Sequence, residues 1–149
     1  MQAAQTLDPA LRAEYKAICT KYAQAWGAAP EAEQKVWNEG AAKLKKLWEE
    51  DEAGMQAAYA AAWGECATDG LLNEAAWLTF MKKHDEINAA KGAGVMPHGE
   101  GILKEAYANL NKWTAGVDGV SMADFWWQQG ETEKIMSEIE AEYFAGQSS

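Results

Sequence analysis

Apolar residues recur along this chain at intervals of three and four, the spacing that puts them on one face of an α-helix, and rarely in strict alternation. Asp8-Pro9 has the form of a helix N-cap followed by proline at the first helical position. Leu11, Tyr15, Ile18, Tyr22 and Trp26 then form one stripe ending near Gly27. Pro30 opens a second helix with Val36, Trp37, Ala41, Leu44, Leu47 and Trp48 facing one way, Lys43, Lys45, Lys46 and Glu49 to Glu52 mostly elsewhere, and Gly54 as its end. Met55, Ala58, Tyr59, Ala62 and Trp63 predict a short third helix, and Trp77, Phe80, Met81, His84 and Ile87 a fourth that begins near Asn73. Beyond the glycine-rich connector NAAKGAGVMPHGEG, a fifth helix carries Ile102, Leu103, Ala106, Tyr107, Leu110 and Trp113. A sixth starts near Ser121 with Phe125 and Trp126, has Gly130 as a candidate break, and resumes with Ile135, Met136, Ile139 and Tyr143.

Composition sharpens this pattern into an all-α fold, because Val and Ile together number nine in 149 residues and leave little to build strands from. The length suits one compact domain or two small lobes sharing a core, and 48% hydrophobic against 24% charged residues is the balance of a chain that folds. A net charge of -10 argues against duplex nucleic acid and anionic membrane, both of which need a basic surface, and favours a basic peptide or a cation. No window approaches the roughly 18 apolar residues of a membrane span. The start, MQAAQTLDPALRAEYK, lacks the pattern of a signal peptide, so an intracellular, cytoplasmic protein is expected. Cys19 and Cys66 have no metal-ligand spacing and are expected to be small buried free thiols.

Two loops flanked by helices carry a DG pair, in TDGLLNEAAWLTFM and in WTAGVDGVSMADFW, and both segments resemble EF-hands. The resemblance covers residues 55 to 130 and implies a helical EF-hand-like fold with two paired, degenerate helix-loop-helix units plus an N-terminal helical hairpin. In the first loop it places Glu65 at position one, Ala67 at three, Asp69 at five, Gly70 at the sharp turn at six, the Leu71 carbonyl next, Leu72 at the apolar bridging position, Asn73 at nine and Ala76 at twelve. In the second it places Thr114 at one, Val120 at the bridging position, Ser121 as cap and Asp124 as the final acid, with Asp118 the only other acid and Thr114 to Asp124 one residue short. The vestigial metal set is therefore Glu65, Asp69, Leu71, Asn73, Thr114, Asp118 and Asp124. A tight calcium site needs several oxygen ligands and a bidentate carboxylate at position twelve, so no cofactor, and no tight calcium, is expected. The resemblance divides the chain into a hairpin at 1–53, hand-like units at 54–91 and 102–130 around a linker at 92–101, and a C-terminal amphipathic helix and tail at 131–149. Tyr22 to Gly27 echoes Tyr59 to Gly64 at a separation of 37 residues, so the hairpin reads equally as a hand that has lost its loop or as a plain helical hairpin.

Eight tryptophans exceed ordinary usage. Trp26, Trp63, Trp77 and Trp113 read as core; adjacent Trp126 and Trp127 cannot both face one interior, so one of them is expected to reach another chain or the N-terminal hairpin. Trp37, Trp48, Trp126, Trp127 and Met136 form the candidate partner-binding set. His84 and His98 lack HExxH spacing, GAGVMPHGEG lacks the GK[ST] of a phosphate loop, and no catalytic constellation is visible, so no enzymatic activity is expected. The acidic residues Glu131, Glu133, Glu138, Glu140 and Glu142 read as a solvated face able to receive a basic helix. The function expected is helix-in-groove binding of a protein partner, an amphipathic or basic helix, or of the chain's own helix, within a larger assembly. The alternative is a calcium sensor or buffer, with a cofactor-holding helical bundle third.

Overall fold

The computed structural model describes residues 7–93, 99–114 and 118–147, with side chains to Glu142. Among the described residues six helices and one short strand pair make an all-α fold: α1 (Pro9–Ala28), α2 (Glu31–Glu50), α3 (Glu52–Cys66), β1 (Leu71–Leu72), α4 (Glu74–Ala90), α5 (Glu100–Leu110), β2 (Val120–Ser121) and α6 (Met122–Gln147). Asp8 caps α1 by accepting from the Ala10 amide at 2.8 Å. At the other end of α1 the Gln34 side-chain amide donates to the carbonyls of Trp26, Gly27 and Ala29, which ties the turn between the first two helices to α2.

Three boundaries differ from the sequence expectation. The second helix ends at Glu50 and not at Gly54, because Asp51 leaves helical geometry and its carboxylate caps α3 by accepting from the Gly54 amide at 3.2 Å. Four successive acids sit unfavourably at a helix C-terminus and favourably at the next N-terminus, so the chain breaks within that run. The sixth helix runs through Gly130 unbroken: Phe125 and Ile135 on either side of it are fully buried, and their packing outweighs the roughly 1 kcal/mol that a helical glycine costs. The fifth helix begins at Glu100, so the connector at 92–101 gives its last two residues to α5; residues 94–98, His98 included, lie outside the described residues, as do Gly116, Val117 and the Tyr143 side chain.

The core is continuous from α1 to α6, with Met55, Trp77, Phe80, Leu72, Val120 and Phe125 essentially inaccessible. At its centre β1 and β2 pair antiparallel, Leu72 opposite Val120 and Leu71 opposite Ser121. A helix-loop-helix of α3 and α4 is thereby joined through its loop to one of α5 and α6. The α1 helix lies against α5 and α6, whereas α2 lies against α3. Trp63, Trp77 and Trp113 are buried as expected, but Trp26 is only half-buried and stands outside the core, and Val36 of the second helix is 60% exposed. Cys19 is buried, Cys66 only half-buried, and both are free.

Gly119 has φ +120°, and a Cβ there would meet the Leu71 Cβ at 3.1 Å, whereas a Cβ at helical Gly130 would meet nothing within 4 Å. Gly119→Ala should therefore lower the free energy of unfolding by about 1–3 kcal/mol, and Gly130→Ala should raise it by about 0.5–1 kcal/mol. Urea unfolding followed by circular dichroism reads both, and opposite signs are the expected result.

Candidate functional site

The first DG loop closes as a two-residue turn. Thr68 and Leu71 exchange backbone hydrogen bonds at 2.9 and 3.0 Å, while Asp69 (φ 54°) and Gly70 (φ 81°) both occupy the left-handed region. Asp-Gly is the pair that tolerates this conformation, since glycine has no Cβ and aspartate is among the few side chains that visit it. The Trp63 indole N–H donates to the Gly70 carbonyl at 3.1 Å and fastens the turn to α3. Asn73 caps α4 by accepting from the Ala76 amide at 2.8 Å, as its spacing suggested.

Of the residues that the resemblance assigns to metal, Glu65, Leu71, Asn73, Thr114 and Asp124 are held by protein partners. Glu65 pairs with Lys83 of α4 at 3.0 Å, and that bond holds the lysine above its ordinary pKa. The Leu71 carbonyl accepts from the Thr68 amide. Asp124 accepts from the Thr114 hydroxyl at 2.9 Å and from the Ser121 amide at 3.0 Å, while the Ser121 hydroxyl accepts from the Asp124 amide at 3.2 Å. Ser121 and Asp124 thus form a reciprocal cap on α6. Asp118 is exposed, and Asn111, which the sequence reading overlooked, accepts from the Gly119 amide at 2.8 Å and pins the second loop to the end of α5. Among the described residues no three His, Cys, Asp or Glu side chains are grouped closely enough to hold a metal ion.

The aromatic residues divide between two sides of α6. Trp126 stacks on Tyr59 at a 6.0 Å centroid distance and meets Trp48 of α2 edge-on at 5.7 Å; Trp127 turns the other way and meets Trp113 at 5.0 Å. Neighbours on a helix point about 100° apart, and both find intramolecular partners because α6 is covered from two directions. Trp126 is therefore the one that reaches the N-terminal hairpin. Trp48 and Met136 are also partly buried against the core, and Trp37 is half-buried beyond it. His84 lies among the rings of Tyr59, Phe80 and Phe125.

The surface that receives α1 has an apolar floor and an acidic rim. Tyr15, Ile18 and Cys19 are buried there. The Thr132 hydroxyl donates to the Gln128 carbonyl at 2.7 Å, which leaves it to accept from the Tyr15 hydroxyl, also at 2.7 Å. Along the rim Arg12 donates to Glu131 at 3.2 Å and to both carboxylate oxygens of Glu138, and Lys16 reaches Glu142 at 2.7 Å. Lys21 pairs with Glu105 of α5 at 2.9 Å. The acidic residues of the last helix are thus not all a solvated face: those at 131, 138 and 142 lie seven and four apart, opposite basic residues four apart on α1. This complementary spacing was present in the sequence and is what could have found the contact. No helix among the described residues is long and apolar enough to cross a membrane.

The Glu138 carboxyl is held below its ordinary pKa chiefly by the hydrogen bond from Arg12, with partial burial opposing. A depressed carboxylate contributes stability that is full above its ordinary value of 4.5 and is lost as pH falls through the lower folded value. Melting temperature should therefore fall as pH drops below 4.5, and Glu138→Gln should show a shallower fall over that window. Thermal scans of both proteins across the acid range, at low salt, check this.

Comparison with known proteins finds no matching family model, no matching curated protein and no matching solved structure.

Proposed function

We propose that this chain is a non-enzymatic interaction protein, EF-hand-like in plan, which holds a basic amphipathic helix in an apolar groove edged with acidic residues, and that calcium is not its regulator. The observation that carries this role is the seating of α1: its apolar stripe enters the core beside α5 and α6 while Arg12 and Lys16 meet Glu131, Glu138 and Glu142. This is the pairing of an apolar face with a complementary charged rim that grooves use for helices supplied by other chains. Exposed ion pairs contribute only about 0–1 kcal/mol each, so the rim orients the helix while the buried stripe supplies most of the attraction. The α1 helix is then an internal occupant, and a partner helix with the same pattern competes with it. Two features support the EF-hand-like plan: the DG turn that opens the way to α4, and the opposition of Leu72 and Val120 where sister loops of that family meet. Redirection of Glu65 and Asp124 into an ion pair and a helix cap supports calcium independence.

Displacement tests the helix-binding role. Ile18→Asp puts a charge on the buried face of α1 and should release it. The full-length variant should then bind a labelled peptide of the Pro9–Ala28 sequence, read by fluorescence anisotropy, at least tenfold more tightly than the parent does. Equal binding by parent and variant, or none by either, would count against a groove built for helices.

Calcium tests the plan itself. The parent should show the same tryptophan emission and melting temperature in millimolar calcium as in chelator. Ala67→Asp with Ala76→Glu restores carboxylates at positions three and twelve of the first loop, and the double variant should melt higher in calcium. A ligand at a hundredfold excess over Kd adds roughly 2.7 kcal/mol to native-state stability. A folded double variant indifferent to calcium would argue against the EF-hand register.

A further inference from the structure

A single residue separates α2 from α3. Asp51 keeps both of its helical backbone bonds: its amide donates to the Leu47 carbonyl at 2.8 Å, and its carbonyl accepts from the Met55 amide at 3.0 Å. What departs from a helix is its pair of dihedrals, φ -145° and ψ 53°. In an unbroken helix the Gly54 amide would donate to the Glu50 carbonyl; here the Asp51 carboxylate has taken it at 3.2 Å. Rotation of this one residue into helical geometry would join α2 to α3 as one continuous helix and carry the first two helices away from the rest of the molecule. They would move together, because the Gln34 side-chain amide ties the carbonyls of Trp26, Gly27 and Ala29 to α2.

We propose that two copies of this chain exchange their α1–α2 arms through this hinge, each arm seating on α3, α5 and α6 of the other copy. Charge points to a second copy as the partner. Residues 9–50 hold seven basic and six acidic side chains, whereas residues 51–149 hold six and sixteen, so the arm is the part of the chain without an acidic excess. Two bodies of that charge repel each other, but an arm brings Arg12, Lys16 and Lys21 to Glu131, Glu138, Glu142 and Glu105 whichever chain it comes from. The exchanged pair repeats every contact of the monomer except those at the hinge, which makes exchange of an identical element a low-cost route to a dimer. The arm is also lightly held. Among the described residues of α2 only Gly40 is fully buried, and beneath α1 a cavity of about 140 Å³, lined by Tyr15 and Cys19 of α1, Met81 of α4, Leu103 of α5 and Gln128 of α6, leaves the seat short of close packing. The hinge itself decides between the two forms. A Cβ at Gly54 would fall on the Asp51 carboxylate, 2.7 Å from its Cγ, so the bent form keeps its cap only with glycine there, whereas alanine suits a continuous helix. In the exchanged pair Glu50 of one copy lies beside Glu52 of the other, so two runs of Glu49 to Glu52 meet and repel. Salt screens that repulsion, while the ion pairs of α1 are the same in both forms, so added salt favours exchange. The exchange needs only the hinge and the α1 seat, and it goes beyond the use of the groove by other proteins.

The full-length protein is unfolded in urea, refolded at micromolar and at millimolar concentration, and sized by chromatography with light scattering. The parent should yield a dimer at millimolar concentration, in a fraction that rises with added sodium chloride. Gly54→Ala should raise the dimer association constant roughly tenfold or more, the loss of one cap at each of two hinges. Glu52→Pro should abolish the dimer, since proline suits the first position of α3 and disrupts a helix interior. To locate the arm, dimers are refolded from a mixture of carbon-13-labelled and unlabelled chains, and isotope-filtered NOEs are sought between the rings of Tyr15 and Trp113, whose centroids lie 5.6 Å apart. Exchange makes that contact an inter-chain one. The proposal is overturned if the parent stays monomeric at millimolar concentration, if its dimer fraction falls with salt, if folded Glu52→Pro dimerises as the parent does, or if the Tyr15–Trp113 NOE is absent between chains. Sizing and NOEs of the parent decide by themselves should either variant fail to fold. A chain that stays monomeric while Ile18→Asp still captures the labelled peptide overturns the exchange and leaves the helix-binding role standing.

Discussion

Four backbone residues hold the two halves of this protein in register. Leu71–Leu72 and Val120–Ser121 form a strand pair too short to persist alone in water, since even a full two-stranded hairpin is marginal. It persists because Leu72 and Val120 are fully buried, each side chain gaining roughly 1.5–3 kcal/mol from removal from water. The Tyr107 hydroxyl donates to the Leu72 carbonyl at 3.0 Å, which adds a direct link from α5 to β1. Gly119 approaches Leu71 so closely that a larger residue would push the strands apart. The helices on either side of the two loops inherit their positions from this contact, and so does the surface on which α1 rests.

Once that register is set, the polar groups of the loops serve as fasteners. A carboxylate next to a helix N-terminus is stabilised by the unpaired amides there, whether or not a cation is near. Asp124 and Asn73 follow that rule at α6 and α4, and Glu65 finds Lys83 across the helix pair. Trp63 and Asn111 complete the pattern by bonding to loop backbone at Gly70 and Gly119. The loops are thereby fixed by hydrogen bonds within the chain, a job that in a metal-loaded loop falls to the ion.

The N-terminal hairpin shows two different modes of attachment. The α1 helix is bound by a buried stripe and by a charged rim, and the cavity beneath it marks where the two surfaces fail to fill the space between them. The α2 helix reaches the core through Leu44, Leu47 and Trp48 of its second half; Trp48 meets Tyr59 and Trp126, whereas Val36 stays in solvent. Asn88 accepts from the Tyr59 hydroxyl at 2.6 Å, so the aromatic group under α2 is anchored to α4 by a buried hydrogen bond. Docking of the hairpin therefore rests on the buried stripe of α1, a few aromatic contacts of α2 and one ion-paired edge.

Local chemistry determined the helices and their starts: the Asp8-Pro9 cap, Asn73 before α4 and Ser121 before α6 are properties of a few adjacent residues, and the apolar stripes follow from a period of 3.6. The DG turn was equally local, because only residues tolerant of positive φ fit it. Where two local signals compete, tertiary packing made the choice. Gly54 and Gly130 both read as helix ends, yet the break fell at Asp51, where charge and capping agree, and α6 continued because Phe125 and Ile135 on either side of Gly130 are buried. Apolar stripes showed which residues prefer to leave water but not which neighbour they meet, so Trp26 and Val36 remained outside the core while Trp126 and Trp127 were packed on opposite sides of α6. The partner of the acidic residues in α6 lay more than a hundred positions away, and the cavity at Gln128 arises from the fit of four helices, a mismatch of shapes that no single segment encodes.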